Sequence, residues 1–240
     1  MQLAEILSSL FPFGHEVSEA SGLVTGVGWH DPRSRIDVVG ICGKIYPGVD
    51  EAVAIAGHIL EIAARGDRAP LLFLVDSGSQ RMSRRDELLG LSETLAHLAK
   101  ALWLTDKAGH RTVGLLYGGS AAGAFIATAL ACRSLVALPC AWPEVMDLPS
   151  IARVTKLPID VLRQKAATTP VFAPGLDNLF ATGGIMEIWN PTEPLSDQLG
   201  ALLAEPARLD LRARLGAERG GRLKAAAIAA EVERLAISHG

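Results

Sequence analysis

Two glycine-bearing turns are the parts of this 240-residue chain whose residue types and spacing could do chemistry. The first is Asp76-Ser77-Gly78-Ser79-Gln80-Arg81, and the second is Tyr117-Gly118-Gly119-Ser120-Ala121-Ala122-Gly123. Each follows an apolar run and precedes a helical segment. Small residues at such a junction let backbone N–H groups approach a ligand, and a helix start adds the positive end of its dipole. That arrangement suits an oxyanion developing on a carbonyl, an enolate or a phosphate. Glycine equally serves close packing of helix on strand, so the residues alone leave both uses open.

Other chemistries find less support. Gly118-Gly119-Ser120-Ala121-Ala122 approximates a nucleophile elbow but has alanine where the second glycine belongs. The one histidine after Ser120 is His239, the penultimate residue, which argues against a hydrolase triad. What survives at 118–121 is backbone chemistry rather than a hydroxyl nucleophile. His58 and His97 fall on polar helix faces beside Glu61 and Glu93, while His15, His30 and His110 fall in loops. No histidine pair has metal-ligand spacing and there is no CxxC, so no metal is expected. Gly26-Val27-Gly28 stands in a hairpin rather than before a helix, and no Gly-Lys-Ser/Thr occurs, which removes nucleotide-binding fingerprints.

The elements that must position these turns follow from periodicity. A short helix over 2–10 precedes strands at 22–28 and 35–41, with a turn at 29–34 between them. Ala52, Ile55, Ile59 and Ile62 recur at helical spacing and predict a helix over 49–65. Residues 70–76 are continuously apolar up to Asp76, as in a strand buried on both faces. Leu88, Leu91, Leu95, Leu98 and Leu102 predict one long helix over 84–106. A strand at 112–117, a helix at 120–131 and a strand at 134–138 follow. Residues 144–169 read as helix broken at Pro149 and Pro158, 183–189 as a final strand, and 194–239 as helices. Strands alternating with helices imply a parallel sheet with crossover helices. The organisation is one α/β domain, core about 15–190, with a helical C-terminal extension from about 194 to 240.

Composition sets outer limits. Lys and Arg number 23 against 26 Asp and Glu, a net charge of −3 that lacks the footprint of a nucleic-acid binder. Hydrophobic residues are 49% of the chain and aromatics only 5%, so a greasy, Ala- and Gly-rich chain has more apolar surface than one subunit buries. Cys42, Cys132 and Cys140 are an odd set in apolar surroundings, read as buried reduced thiols in a cytoplasmic protein. The start of the chain has no basic n-region of a signal peptide. Thr112–Cys132 is uncharged and long enough to span a bilayer, but the Tyr117-Gly118-Gly119-Ser120 interruption favours a buried strand turning into a buried helix over a membrane segment.

Leu74-Val75-Asp76-Ser77-Gly78-Ser79, a long helix, Leu116-Tyr117-Gly118-Gly119-Ser120-Ala121-Ala122-Gly123 and then Ala141-Trp142-Pro143 resemble the carboxyltransferase branch of the crotonase superfamily. More narrowly, Trp142-Pro143-Glu144-Val145-Met146-Asp147 and Pro170-Val171-Phe172-Ala173-Pro174-Gly175 are similar to the gamma subunit of biotin-independent malonate decarboxylase. The resemblance implies a ClpP/crotonase-like fold of repeated β-β-α units. It also implies a related beta subunit, an acyl carrier protein subunit and a transferase subunit as partners. The substrate would be a malonyl thioester on the carrier's CoA-like arm, with no biotin, metal or other cofactor bound directly. On that reading the backbone N–H groups of Gly118, Gly119 and Ser120 cradle the enolate oxygen. Ser77, Gly78, Ser79 and Ala121 shape the pocket or hold the thioester arm. Arg81, Arg84 or Arg85 offers a basic group to an acidic carrier or its phosphates, although a solvated surface suits these residues better. Tyr117 and Glu144 are candidate proton donors, unless the partner supplies one. Two other readings compete: a stand-alone crotonase-fold hydratase, isomerase or ClpP-like peptidase, and a non-catalytic scaffold that completes a partner's site.

Overall fold

A computed structural model describes residues 1–205 and 210–238. Helix α1 (Leu3–Leu10) leads into strands β1 (His15–Ala20), β2 (Leu23–Asp31) and β3 (Ser34–Ile45), then α2 (Val49–Arg65) and β4 (Leu71–Ser77). Helices α3 (Arg84–Leu88) and α4 (Leu91–Lys107) precede β5 (Thr112–Leu116), β6 (Gly119–Ala121) and α5 (Ala122–Ala127). After a 3-10 turn at Ala129–Ala131 come β7 (Ser134–Ala137), β8 (Trp142–Glu144), α6 (Leu148–Thr155), α7 (Ile159–Ala166), α8 (Leu176–Ala181) and β9 (Glu187–Ile188). The chain continues as α9 (Leu195–Ala204), α10 (Arg212–Glu218) and α11 (Ala225–Ser238).

The large sheet has the order β1-β2-β3-β4-β5-β7-β9, and a small second sheet pairs β6 with β8. The β1–β3 meander is antiparallel, whereas β3, β4, β5, β7 and β9 run parallel. Two successive units repeat one plan: β5-β6-α5 and β7-β8-α6 each send one strand to the large sheet, one to the small sheet, and then a helix.

Strand alternation divides the core between the two faces of the large sheet. Leu71, Phe73 and Val75 face α2 and α4 with Ile55, Ile59, Leu95, Leu98 and Leu102, while Leu72, Leu74, Val113 and Leu115 face α1 and α9 with Ile6, Leu10 and Leu199. A fully buried Leu or Phe contributes about 1.5–3 kcal/mol. Two-sided burial therefore fixes β4 and β5 rigidly, and with them the turns at their C-terminal ends.

Several elements differ from the sequence reading. Strand β1 was not predicted: its residues are nearly all exposed, so an edge strand carries no apolar alternation. The predicted 84–106 helix is two helices, because Gly90 sits at φ +78° and breaks it; Leu88 consequently points to solvent while the rest of the leucine stripe is buried. The predicted 120–131 helix begins at Ala122 and gives way to the 3-10 turn, because 119–121 is strand. The predicted 183–189 strand is reduced to Glu187–Ile188. Of the expected tail helices, residues 206–209 and 239–240, including His239, lie outside the described residues. Cys140 is exposed rather than buried. The uncharged 112–132 stretch is divided among β5, β6, α5 and the 3-10 turn, and no helix among the described residues is long and apolar enough to cross a membrane.

Candidate functional site

The two glycine turns are one structure. Asp76 Oδ1 accepts the Gly119 N–H at 3.0 Å, and the buried Ser77 and Ser120 hydroxyls share a hydrogen bond of 2.9 Å. The Ala121 N–H donates to the Gly78 carbonyl at 3.4 Å, and the Gly123 N–H donates to Gln80 Oε1 at 2.9 Å. Each contact joins residues 43 apart, so the loop after β4 lies alongside β6 and the start of α5 in constant register.

That register corrects the expected cradle. The Gly119 N–H is committed to a carboxylate and is not open to an oxyanion in this conformation. Ser120 lies inside β6, whose backbone is engaged in parallel pairing with β8. The Gly118 N–H, by contrast, has no acceptor among the described residues. A Cβ added at Gly118 would stand 2.0 Å from Asp76 Oδ1, so glycine is required there by close approach.

Ser120 fails the tests of a nucleophile. Its hydroxyl is buried against Ser77 and hydrogen-bonds no histidine among the described residues, and the strained residue of the junction is Ala122, at φ +52°. The other expected pocket residues surround the same loop. Gly78 packs under the exposed Tyr46 ring and donates its N–H to the Ile45 carbonyl, while Ser79 is partly buried and its hydroxyl bonds to the Gln80 carbonyl.

The candidate proton donors part company. Tyr117 is buried, and its hydroxyl has no hydrogen-bond partner among the described residues. Burial, reinforced by Cys42 and Asp76, pushes its phenol far above the ordinary range, so it stays protonated. Glu144 is partly exposed on β8 and accepts a bond from the Trp142 indole at 3.3 Å. Beside it an open groove of about 560 Å³ is lined by Trp142, Leu148, Pro149, Ile159 and Arg163. The two buried thiols are poor nucleophiles: burial raises Cys42 and pushes Cys132 up to about 12.

The expected basic patch is largely neutralised. Arg81 pairs with Glu51 and Asp86, and Arg85 bonds Asp50 in a bidentate pair at 2.8 and 3.1 Å. Asp86, almost fully buried, also accepts the Val49 N–H at 2.9 Å and so clasps the start of α2. Ser83 and the Val49 N–H hold the Asp86 carboxyl below the usual carboxylate range. Arg84 alone of the three makes no ion pair with a described residue. No cluster of three potential metal-ligating side chains occurs among the described residues.

Asp76, Gln80 and Tyr46 were missed as site residues. Asp76 reads as the end of a strand and Gln80 as a loop residue, and their partners lie 43 residues away, beyond any local motif.

A large sheet and a small one, fed alternately by β-β-α units, with a glycine turn where β5 gives way to β6, define a crotonase-like carboxyltransferase fold. A Pseudomonas malonate decarboxylase hetero-tetramer in complex with coenzyme A contains a chain similar to this one at TM-score 0.74 and 24% identity, over 98% of both chains. The hetero-tetramer in complex with malonate matches at 0.68 and 25%, over 93% of both. The malonyl-S-ACP:biotin-protein carboxyltransferase MADD of Malonomonas rubra is 29% identical over 171 residues, 65% of this chain. The chain spans 59% of the length of that curated relative. The malonate decarboxylase gamma subunit family matches residues 44–236, and the chain belongs to that family.

Proposed function

We propose that this chain is a carboxy-lyase subunit that, with a related beta subunit, decarboxylates a malonyl thioester carried on an acyl carrier protein. Family membership over 44–236 and the open Gly118 N–H at the junction of the two sheets together carry the reading. The C–C bond to the carboxylate breaks, CO2 leaves, and the electron pair passes into the thioester carbonyl to give an enolate. Protonation at carbon then yields the acetyl thioester. A fixed N–H donor at the developing oxyanion is worth about 10²–10³ in rate. Within the expected cradle of Gly118, Gly119 and Ser120, the Gly118 N–H takes that part, and the related subunit completes the donor set.

The Ser77–Ser79 loop and Ala121 form the wall along which the thioester arm lies. The arm arrives on the carrier, so the chain binds no cofactor, biotin or metal of its own. A transferase subunit exchanges acetyl for malonyl on the carrier, and the complex works in the cytoplasm. The Ser120 hydroxyl is paired with Ser77 and hydrogen-bonds no histidine among the described residues, which disfavours the peptidase reading.

The test is reconstitution. This chain, a beta-type subunit and a malonyl-loaded carrier are expected to release CO2 together, and neither subunit is expected to do so alone. Turnover of a crotonyl thioester or a peptide by this chain alone would overturn the reading. Full activity of the beta subunit without this chain would reduce it to a scaffold.

A further inference from the structure

We propose that Asp76 is a positioning residue: its carboxylate holds the Gly118–Gly119 peptide so that the Gly118 N–H stays open to the substrate oxygen. The catalytic half of this inference rests on the decarboxylase reading, and the structural half rests on geometry alone.

β4 and β5 pair regularly as far as Val75 with Leu116. The next residue of β4, Asp76, does not meet Tyr117 but bonds Gly119. Tyr117 and Gly118 are thus the residues by which the chain steps out of the large sheet and into the small one. Such a step takes peptide groups out of a regular ladder, and buried N–H groups need acceptors. The Tyr117 N–H bonds the Val75 carbonyl at 3.1 Å, and the Gly119 N–H takes Asp76 Oδ1.

Asp76 and Gly118 occupy one another's space, since a Cβ at Gly118 would stand 2.0 Å from the same oxygen. The bond spans 43 residues, so it is a tertiary strut and not a local turn. Bonds from backbone N–H to an ionised carboxylate are stronger than neutral ones, and Asp76 is only partly exposed. The neighbouring contacts do different work. Ser77 and Ser120 join side chains, and Gln80 holds Gly123 at the entry to α5. Asp76 alone of these side chains bonds a peptide within the Gly118–Gly119 step.

D76N and D76A separate position from charge. Asparagine keeps an oxygen acceptor of the same size and reach, and alanine removes it. Amide exchange at Gly119 in the full chain is expected to be slow in wild type and D76N, and at least tenfold faster in D76A. In the reconstituted complex, D76A is expected to lose about 10²-fold in kcat with KM changed less than threefold. D76N is expected to retain at least a tenth of wild-type kcat.

Equal Gly119 exchange in wild type and D76A would show that the strut does not form. A D76N enzyme as slow as D76A, with Gly119 still protected, would assign Asp76 a charge or proton role and overturn positioning. Should D76A fail to fold, D76N still decides, because positioning requires it to be both protected and active. A wild-type complex that releases no CO2 would instead defeat the decarboxylase reading, leaving the exchange result to judge the strut.

Discussion

The strands of the stretch from β4 to β7 and the stretch from β8 to α11, apart from α9, contrast sharply in how completely each is buried. In the first, Leu71–Val75 and Val113–Leu116 are buried throughout, and the loops beyond them are joined by four contacts in a single register. In the second, α6 and α11 bury no residue and α7 buries only Leu162. Trp142, Val145, Met146, Val154, Val171, Ile228 and Val232 are exposed there.

The tail is nevertheless attached. Arg219 lies over the Phe180 ring at 3.7 Å and donates to the carbonyls of Phe180, Ile185 and Met186. Gly216 and Gly221 let the backbone around α10 press against Ala181 and Thr182. What lies beyond, α11, is a 14-residue helix with an apolar stripe of Ile228, Val232 and Leu235. An isolated helix of that length is marginal in water. The strands of the first region are thus covered by the chain's own side chains, whereas α6, α7 and α11 leave most of theirs exposed.

Four variants sharpen that contrast. Gly118→Ala strikes the self-sufficient region where space is least, bringing a methyl into the Asp76 carboxylate. Overpacking of this kind costs about 1–3 kcal/mol, and displacing the open N–H is expected to lower CO2 release by the reconstituted complex about 10²–10³-fold. A smaller change follows from Ser120→Ala, which keeps the backbone and leaves the Ser77 hydroxyl unpartnered. Thermal unfolding should report a loss of about 1–3 kcal/mol, turnover should fall less than tenfold, and the Ser77→Ala/Ser120→Ala pair should recover part of the stability. A turnover loss far beyond tenfold would restore a chemical role to the hydroxyl.

Smallest of all is the effect of Ile228→Glu with Val232→Glu on the free chain. These side chains are 59% and 61% exposed, so chemical denaturation should shift by no more than about 0.5 kcal/mol. Association with the beta subunit, followed by sedimentation, is where that pair should tell. A marked loss of free-chain stability would show that α11 packs on its own chain after all.

The same contrast explains what could be read from the residues. β4, β5 and β7 are legible because burial on both faces makes them continuous apolar runs, and α2 and α4 because one stripe meets the sheet. β1 is polar and sits at an edge, and β6 and β8 are three residues each, one of them containing Pro143, too short for any periodicity. At the site, both glycine turns were visible as separate motifs. Their union was not, because it depends on Asp76 reaching Gly119 across the whole α3–α4 excursion. The arginines show a related limit: charge is legible in a sequence, but the Glu51 and Asp50 that cancel it come from α2.

The constant spacing between loop 76–80 and segment 119–123 also sets where the chain tolerates a change of length. An extra residue at the Leu89–Gly90 break merely lengthens a surface detour, since both flanking strands stay anchored in the core. An extra residue inside 77–79 or 120–122 is different, because it puts every contact beyond it out of step at once. This joint behaves like a zip fastener, unforgiving of one tooth gained or lost, while the break between the two helices that separate its tapes has slack to spare.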